Sequence, residues 1–150
     1  MCYPESMKKA NGQWIEIATN SAKETKKAAK MLAEEILASK LDLSGALIIG
    51  LVGDLGSGKT TFAQGFAEGL GIMKEKVLSP TFVLMRQYPL KKRNFKTFIH
   101  IDCYRLKDAK ELEALGWSDL ATNPKNIILI EWADRVKTIL PATRIITISS

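Results

Sequence analysis

The sequence contains no run of about eighteen consecutive apolar residues, so no segment reads as a membrane span. Met1 to Asn20 carries no continuous apolar core ahead of a small-residue cleavage site and does not read as a secretory signal. Cysteine is nearly absent. Cys2 and Cys103 cannot build a disulfide framework or a zinc set, and they read as a spare terminal thiol and a small core residue. These absences point to a reducing, cytoplasmic setting. Histidine occurs once, at His100, and no internal repeat, low-complexity tract or interdomain linker is visible.

What is present is an ordinary globular composition. With 150 residues, 46% hydrophobic and 25% charged, the chain has the size of one domain and fits neither disorder, collagen nor coiled coil. Residues 1–13, which include Pro4 and Gly12, read as a disordered leader ahead of a single domain over 14–150. The one bias is charge: 22 Lys and Arg against 16 Asp and Glu leave a net +6. That excess suits an anionic ligand or a nucleic-acid neighbour.

The apolar pattern predicts strands alternating with helices. Trp14 to Ile17 alternates like a short edge strand. Ser21-Ala22-Lys23-Glu24 matches a capping box and opens a helix to about Ser39, with Ala28, Met31, Leu32 and Ile36 as its apolar stripe. Ala46 to Val52 is nearly all apolar and too short for a helix, as in a strand buried on both faces of a parallel sheet. A helix from Lys59 to Leu70 follows, with Phe62, Phe66 and Leu70 recurring every four residues. Phe82 to Tyr88 and Lys96 to Asp102 read as strands joined by a basic turn, Pro89 to Asn94. Asp108 to Leu120 is one helix or two short ones, and Ile127 to Ile130 is a second fully apolar strand. Trp132 to Leu140 is a short helix stopped at Pro141, and Arg144 to Ser149 closes the sheet.

Gly53-Asp54-Leu55-Gly56-Ser57-Gly58-Lys59-Thr60 fits G-x-x-x-x-G-K-[ST] at every fixed position, with a buried strand before it and an amphipathic helix after it. The glycines let the backbone turn and aim its amides at a polyphosphate. The helix starting at Lys59 adds its dipole and free amides. Lys59 supplies a point charge for the phosphates, and Thr60 a hydroxyl for Mg²⁺. The fold class is therefore α/β: a P-loop NTPase-like layered domain with a mostly parallel central sheet flanked by helices.

Such a loop needs a carboxylate at the end of a neighbouring buried strand. Glu131 follows four apolar residues, and Asp102 closes Phe98-Ile99-His100-Ile101; both are candidates. Trp132, next to Glu131, is placed to wall the nucleotide. His100 alternates with Ile99 and Ile101 and reads as a packed or hydrogen-bonded structural residue rather than a base.

Gly53 to Phe62 resembles the GDLGxGKTTF loop of the TsaE (YjeE) family, Ser79-Pro80-Thr81-Phe82 its SPTF switch-like loop, and His100 to Leu106 its HxDxYRL segment. Glu111-Leu112 with Gly116, Ile130-Glu131-Trp132 and Pro141 match further elements in the same order, so that the resemblance covers about Trp14 to Ser149. Ser57 replaces a usual alanine and Cys103 a common aliphatic residue. The resemblance implies an ATP- and Mg²⁺-dependent P-loop ATPase serving threonylcarbamoyladenosine formation at tRNA position 37. Its partner would be a TsaB–TsaD heterodimer, with tRNA reached indirectly or through that complex. It also implies that Asp54, Leu55, Gly56, Ser57, Gly58, Lys59 and Thr60 hold the phosphates, with Thr61 a second hydroxyl. Thr60, Glu131 and Asp102 would serve the metal; Lys59, Thr61, Asp102 and Glu131 the reaction; Trp132 the nucleotide; and Ser21 and Thr25 the adenine end.

Two other readings use the same loop. A small-molecule or nucleotide kinase needs a lid with arginines, yet only Arg135 and Arg144 follow Glu131. A non-catalytic nucleotide-dependent scaffold would have little use for Asp102 and Thr61. The basic turn, with Arg86, Lys91, Lys92, Arg93 and Lys96, reads either as a solvated hairpin tip or as a contact for tRNA phosphates or an acidic partner.

Overall fold

The computed structural model describes residues 7–10, 14–77, 84–140 and 144–149. Along the chain run β1 (Met7–Ala10), β2 (Trp14–Ala18), α1 (Ala22–Ala38), β3 (Leu47–Val52), α2 (Lys59–Gly69), β4 (Met85–Pro89) and β5 (Thr97–Asp102). Then come α3 (Ala109–Glu113), α4 (Trp117–Thr122), β6 (Asn126–Glu131), the 3₁₀ segment Ala133–Ile139 and β7 (Arg144–Ser149). A further 3₁₀ turn, Lys74–Lys76, follows α2.

The described strands form one sheet in the order β1-β2-β7-β3-β6-β5-β4. The five inner strands, β2 to β5 in that order, pair in parallel, while β1 and β4 are antiparallel edges. The strands sort their side chains by the period of two. Leu47, Ile49, Leu51, Phe98, Ile127 and Leu129 face α1 and α2. Ile48, Ile99, Ile101, Ile128 and Ile130 pack with Leu112, Trp117 and Val136 on the opposite side. Both faces are covered, which is why β3 and β6 read as continuous apolar runs.

Four expectations need correction. Met7–Ala10 lies inside the stretch read as a disordered leader, yet it forms β1, whose residues Met7 to Ala10 pair with Ile17 to Trp14. That pairing makes β2 an interior strand rather than an edge. The last strand does not lie at a margin: β7 inserts between β2 and β3, an order that alternation along one strand cannot encode. In α1, Met31 is 40% exposed, and the buried face is Thr25, Ala28, Ala29, Leu32 and Ala33. The small residues win because α2 approaches closely. A Cβ on Gly65 would lie 2.6 Å from the Lys26 carbonyl oxygen, and one on Gly69 would lie 2.7 Å from Ala33 Cβ. Two turns of each helix thus meet backbone to backbone, a contact that larger side chains would prevent.

The capping box forms in a shifted version. Ser21 Oγ accepts from the Glu24 N–H at 3.2 Å, whereas Glu24 reaches back to the Asn20 N–H at 2.8 Å. In the basic turn, Leu90 and Phe95 are buried, anchoring a tip on which Lys91, Arg93 and Asn94 are exposed.

Candidate functional site

The loop after β3 returns to the sheet at α2, and two of its glycines are needed for different reasons. Gly58 sits at φ 102°, a left-handed conformation that costs a residue with a Cβ. Gly53 has no positive φ; a Cβ there would lie 2.5 Å from the Ile148 carbonyl oxygen and 2.6 Å from Ser57 Oγ. Thr25 adjoins Gly58, its methyl group 3.6 Å from where a Gly58 side chain would begin. Its hydroxyl is engaged with Thr19 Oγ1 and the Ser21 carbonyl. Ser21 spends its own hydroxyl on the helix cap. Thr25 therefore lies against the loop from the first turn of α1, and Ser21 holds the Thr25 hydroxyl through its carbonyl.

Lys59 is 5% exposed and folds back on its own loop. Its ammonium donates to the carbonyls of Gly53 at 2.6 Å and Asp54 at 2.7 Å, and to Ser57 Oγ at 3.2 Å. The Trp132 ring covers it, with its centroid 3.9 Å from Nζ. Burial holds the Lys59 pKa below that of an ordinary lysine, against the opposing pull of Glu131, Asp134, Asp54 and Asp102. Helix geometry leaves the amides of Lys59, Thr60 and Thr61 without an acceptor inside α2.

On the neighbouring strand, Glu131 is 1% exposed. Its Oε1 accepts from Thr60 Oγ1 at 2.7 Å, joining residues 71 apart in sequence, and its Oε2 lies in hydrogen-bond contact with His100 Nε2 at 3.0 Å. Asp102 stands opposite Glu131 in the β5–β6 register, and its Oδ1 accepts the Tyr104 N–H at 2.9 Å. A cleft of about 230 Å³ is lined by Leu55, Gly56, Gly58, Lys59, Thr60, Thr61, Glu131 and Trp132. All eight were expected from the sequence. Asp102 is buried beside the cleft rather than in its lining, and Asp54 is exposed on the loop. The SPTF segment, residues 79–82, and Pro141 lie outside the described residues.

The donor set suits a hard cation shared with phosphate. Thr60 Oγ1 and Glu131 Oε1 are adjacent oxygens, and Mg²⁺ takes one or two protein oxygens plus phosphate and water. Among the described residues, no group of three His, Cys, Asp or Glu could hold a metal by itself.

Sequence reasoning missed three features here. His100 is a structural hydrogen bonder as expected, but its partner is the strand-end carboxylate; the period of two puts it on the same face of β5 as Asp102. Trp132 takes a left-handed conformation, φ 58° and ψ 44°, rare for so large a residue, and this turns the chain as it leaves β6. Tyr104 packs on it at 4.9 Å between ring centroids, and Arg135 lies 5.2 Å above the Tyr104 ring. No local signal announces that stack.

A buried strand, a glycine loop, a helix opening with Lys59-Thr60 and an acid on the adjacent parallel strand define the fold class of the P-loop NTPases. Comparison with known proteins narrows this. The profile described as "Threonylcarbamoyl adenosine biosynthesis protein TsaE" matches residues 19–150, and the chain belongs to the TsaE family. Similar proteins include the tRNA threonylcarbamoyladenosine biosynthesis protein TsaE of Haemophilus influenzae, 40% identical over 117 residues. That match covers 78% of this chain and 70% of the relative. The protein of the same name from Rickettsia conorii is 39% identical over 121 residues, covering 81% of this chain and 62% of its own. The crystal structure of Bacillus subtilis YdiB superposes with a TM-score of 0.58 at 31% identity, covering 82% of this chain and 67% of that one. No helix among the described residues is long and apolar enough to cross a membrane.

Proposed function

We propose that this chain is the ATP-hydrolysing subunit of the cytoplasmic machinery that forms N6-threonylcarbamoyladenosine at position 37 of tRNA. It takes Mg-ATP into the cleft beside Lys59 and works with a TsaB–TsaD-like heterodimer, reaching tRNA through that complex. The relatives' names support the tRNA role. The nucleotide role is carried by one observation, the 2.7 Å contact that brings Thr60 of the loop onto Glu131 of the next strand.

In this reading Lys59 exchanges the carbonyls of Gly53 and Asp54 for phosphate oxygens, so a resting latch becomes the counter-charge. The amides at the start of α2 and the Thr61 hydroxyl hold the remaining phosphate oxygens. Thr60 and Glu131 would hold Mg²⁺, which would supply charge neutralisation to the phosphates. Asp102, fixed by the Tyr104 amide, orients the attacking water. Trp132 walls the nucleotide, and Ser21 and Thr25 lie toward its adenine end.

The test is ATP hydrolysis by the chain alone and with the heterodimer, for wild type and Lys59→Ala. Slow turnover alone, acceleration by the heterodimer and loss of both in the variant are expected; a partner-supplied arginine can add roughly 10³–10⁵ in rate. Phosphoryl transfer to a small acceptor would make the chain a kinase. Nucleotide binding without turnover under any condition would make it a scaffold. Either result refutes the proposal.

A further inference from the structure

His100 takes no part in the chemistry proposed above, yet it is 1% exposed and makes its hydrogen bond to Glu131. The two oxygens of that carboxylate have different partners: Oε1 faces Thr60 and the cleft, and Oε2 faces the His100 ring below. A carboxylate held at one oxygen can turn about its last torsion, which has broad minima, whereas one held at both cannot. Glu131 and His100 are each about 1% exposed. The ring is itself fixed, stacked on Phe98 at 6.3 Å and 21°. Its Nδ1 is buried with no hydrogen-bond partner among the described residues. The ring's hydrogen-bond contact among the described residues is the one to Glu131.

We propose that His100 is a positioning residue that locks the Glu131 carboxylate so that Oε1 stays beside Thr60, presenting a preformed oxygen pair to the metal. The inference rests on reading Thr60 and Glu131 as the metal-side pair. Donors behind a metal ligand typically govern affinity by about 10–100-fold, and that is the effect expected here.

The test compares His100→Phe, which keeps the ring stack and removes the donor, with His100→Gln, whose amide can restore it. A fluorescent ATP analogue is titrated in EDTA and then with increasing Mg²⁺. His100→Phe should bind the analogue like wild type in EDTA and need at least tenfold more Mg²⁺ for its magnesium response, while His100→Gln should recover most of the loss. A wild-type magnesium response in His100→Phe, or equal loss in both variants, overturns the inference. Thr60→Ala separates the two levels. If it loses the magnesium response and His100→Phe does not, only the positioning role fails; if wild type shows no magnesium response, the site reading fails with it. A readout that needs no variant is also available because His100 is the only histidine. Its single set of imidazole ¹⁵N signals should show the proton on Nε2 and should shift when Mg²⁺ is added to the nucleotide complex. A proton on Nδ1 alone, or signals blind to Mg²⁺, refutes the lock.

Discussion

Replacing Gly53 by alanine tests whether the phosphate loop is set by space rather than by dihedral freedom. The added Cβ would stand 2.5 Å from the Ile148 carbonyl oxygen and 2.6 Å from Ser57 Oγ. The first of these cannot retreat easily, because Ile148 belongs to β7 and is paired with Ile17 of β2. The second is a ligand of Lys59. Overpacking of this kind costs about 1–3 kcal/mol. For a chain of this size each kcal/mol moves the melting temperature by about 2–4 °C, so Gly53→Ala should melt roughly 2–12 °C low. Gly56 is the control. It sits at φ 78° with nothing within 4 Å of an added Cβ, so a substitution there meets only backbone strain. Asparagine tolerates that region best among residues with a side chain, and Gly56→Asn should stay within about 2–4 °C of wild type. Thermal unfolding of the nucleotide-free proteins, followed by circular dichroism, measures both. Wild-type melting of Gly53→Ala, or an equal fall in Gly56→Asn, would refute the reasoning.

Saturating Mg-ATP should raise the melting temperature of wild type and leave Lys59→Ala unmoved, since a ligand stabilises only the folded chain that binds it. Glu131→Gln should lose magnesium-dependent turnover by a larger factor than nucleotide affinity; equal losses in calorimetry and rate would contradict the metal role. Burial, helped by Asp102, Asp134 and Glu131, pushes the Cys103 thiol up to about 12 from 9.0. Between those values the unfolded thiol ionises first and binds fewer protons, so stability falls as pH rises, by up to about 1.4 kcal/mol per unit. Urea unfolding at pH 9 and 10.5 should show that slope reduced in Cys103→Ala. Neutralising Lys91, Lys92 and Arg93 together should leave ATP binding unchanged, because the turn lies at the opposite end of β5 from Asp102. If the turn touches RNA, the log–log salt dependence of a tRNA-loaded complex should become shallower by roughly 2; an unchanged slope and association rate leave a solvated tip.

Several parts of this molecule are legible residue by residue. The strand–loop–helix unit around Lys59 is local: a short apolar run, glycines at fixed offsets and a four-residue apolar repeat each act through neighbours in sequence. Glu131 and Asp102 are legible for a related reason, since each polar residue closes an apolar run and so marks the C-terminal end of a buried strand. The α1 stripe was misjudged at Met31 because the face a helix buries is chosen by its neighbour. Gly65 and Gly69 on α2 made room for alanines rather than for a methionine. Leu90 and Phe95 were hidden within a run of cations, and only tertiary packing shows them as the anchors of that turn.

By itself the sequence determined the class of the fold, the glycine loop between β3 and α2 and the two strand-end acids, because each rests on covalent neighbours and on periodicities of two and 3.6. The tertiary structure alone decided the strand order, with β7 lodged between β2 and β3 and β1 outside β2. It also decided which atoms meet: Thr60 with Glu131, Glu131 with His100, and Lys59 with Trp132. Those contacts join residues tens of positions apart, and their geometry follows from strand register and from the left-handed turn at Trp132. Neither is encoded in any short window of the chain, because register is settled by the packing of both sheet faces at once.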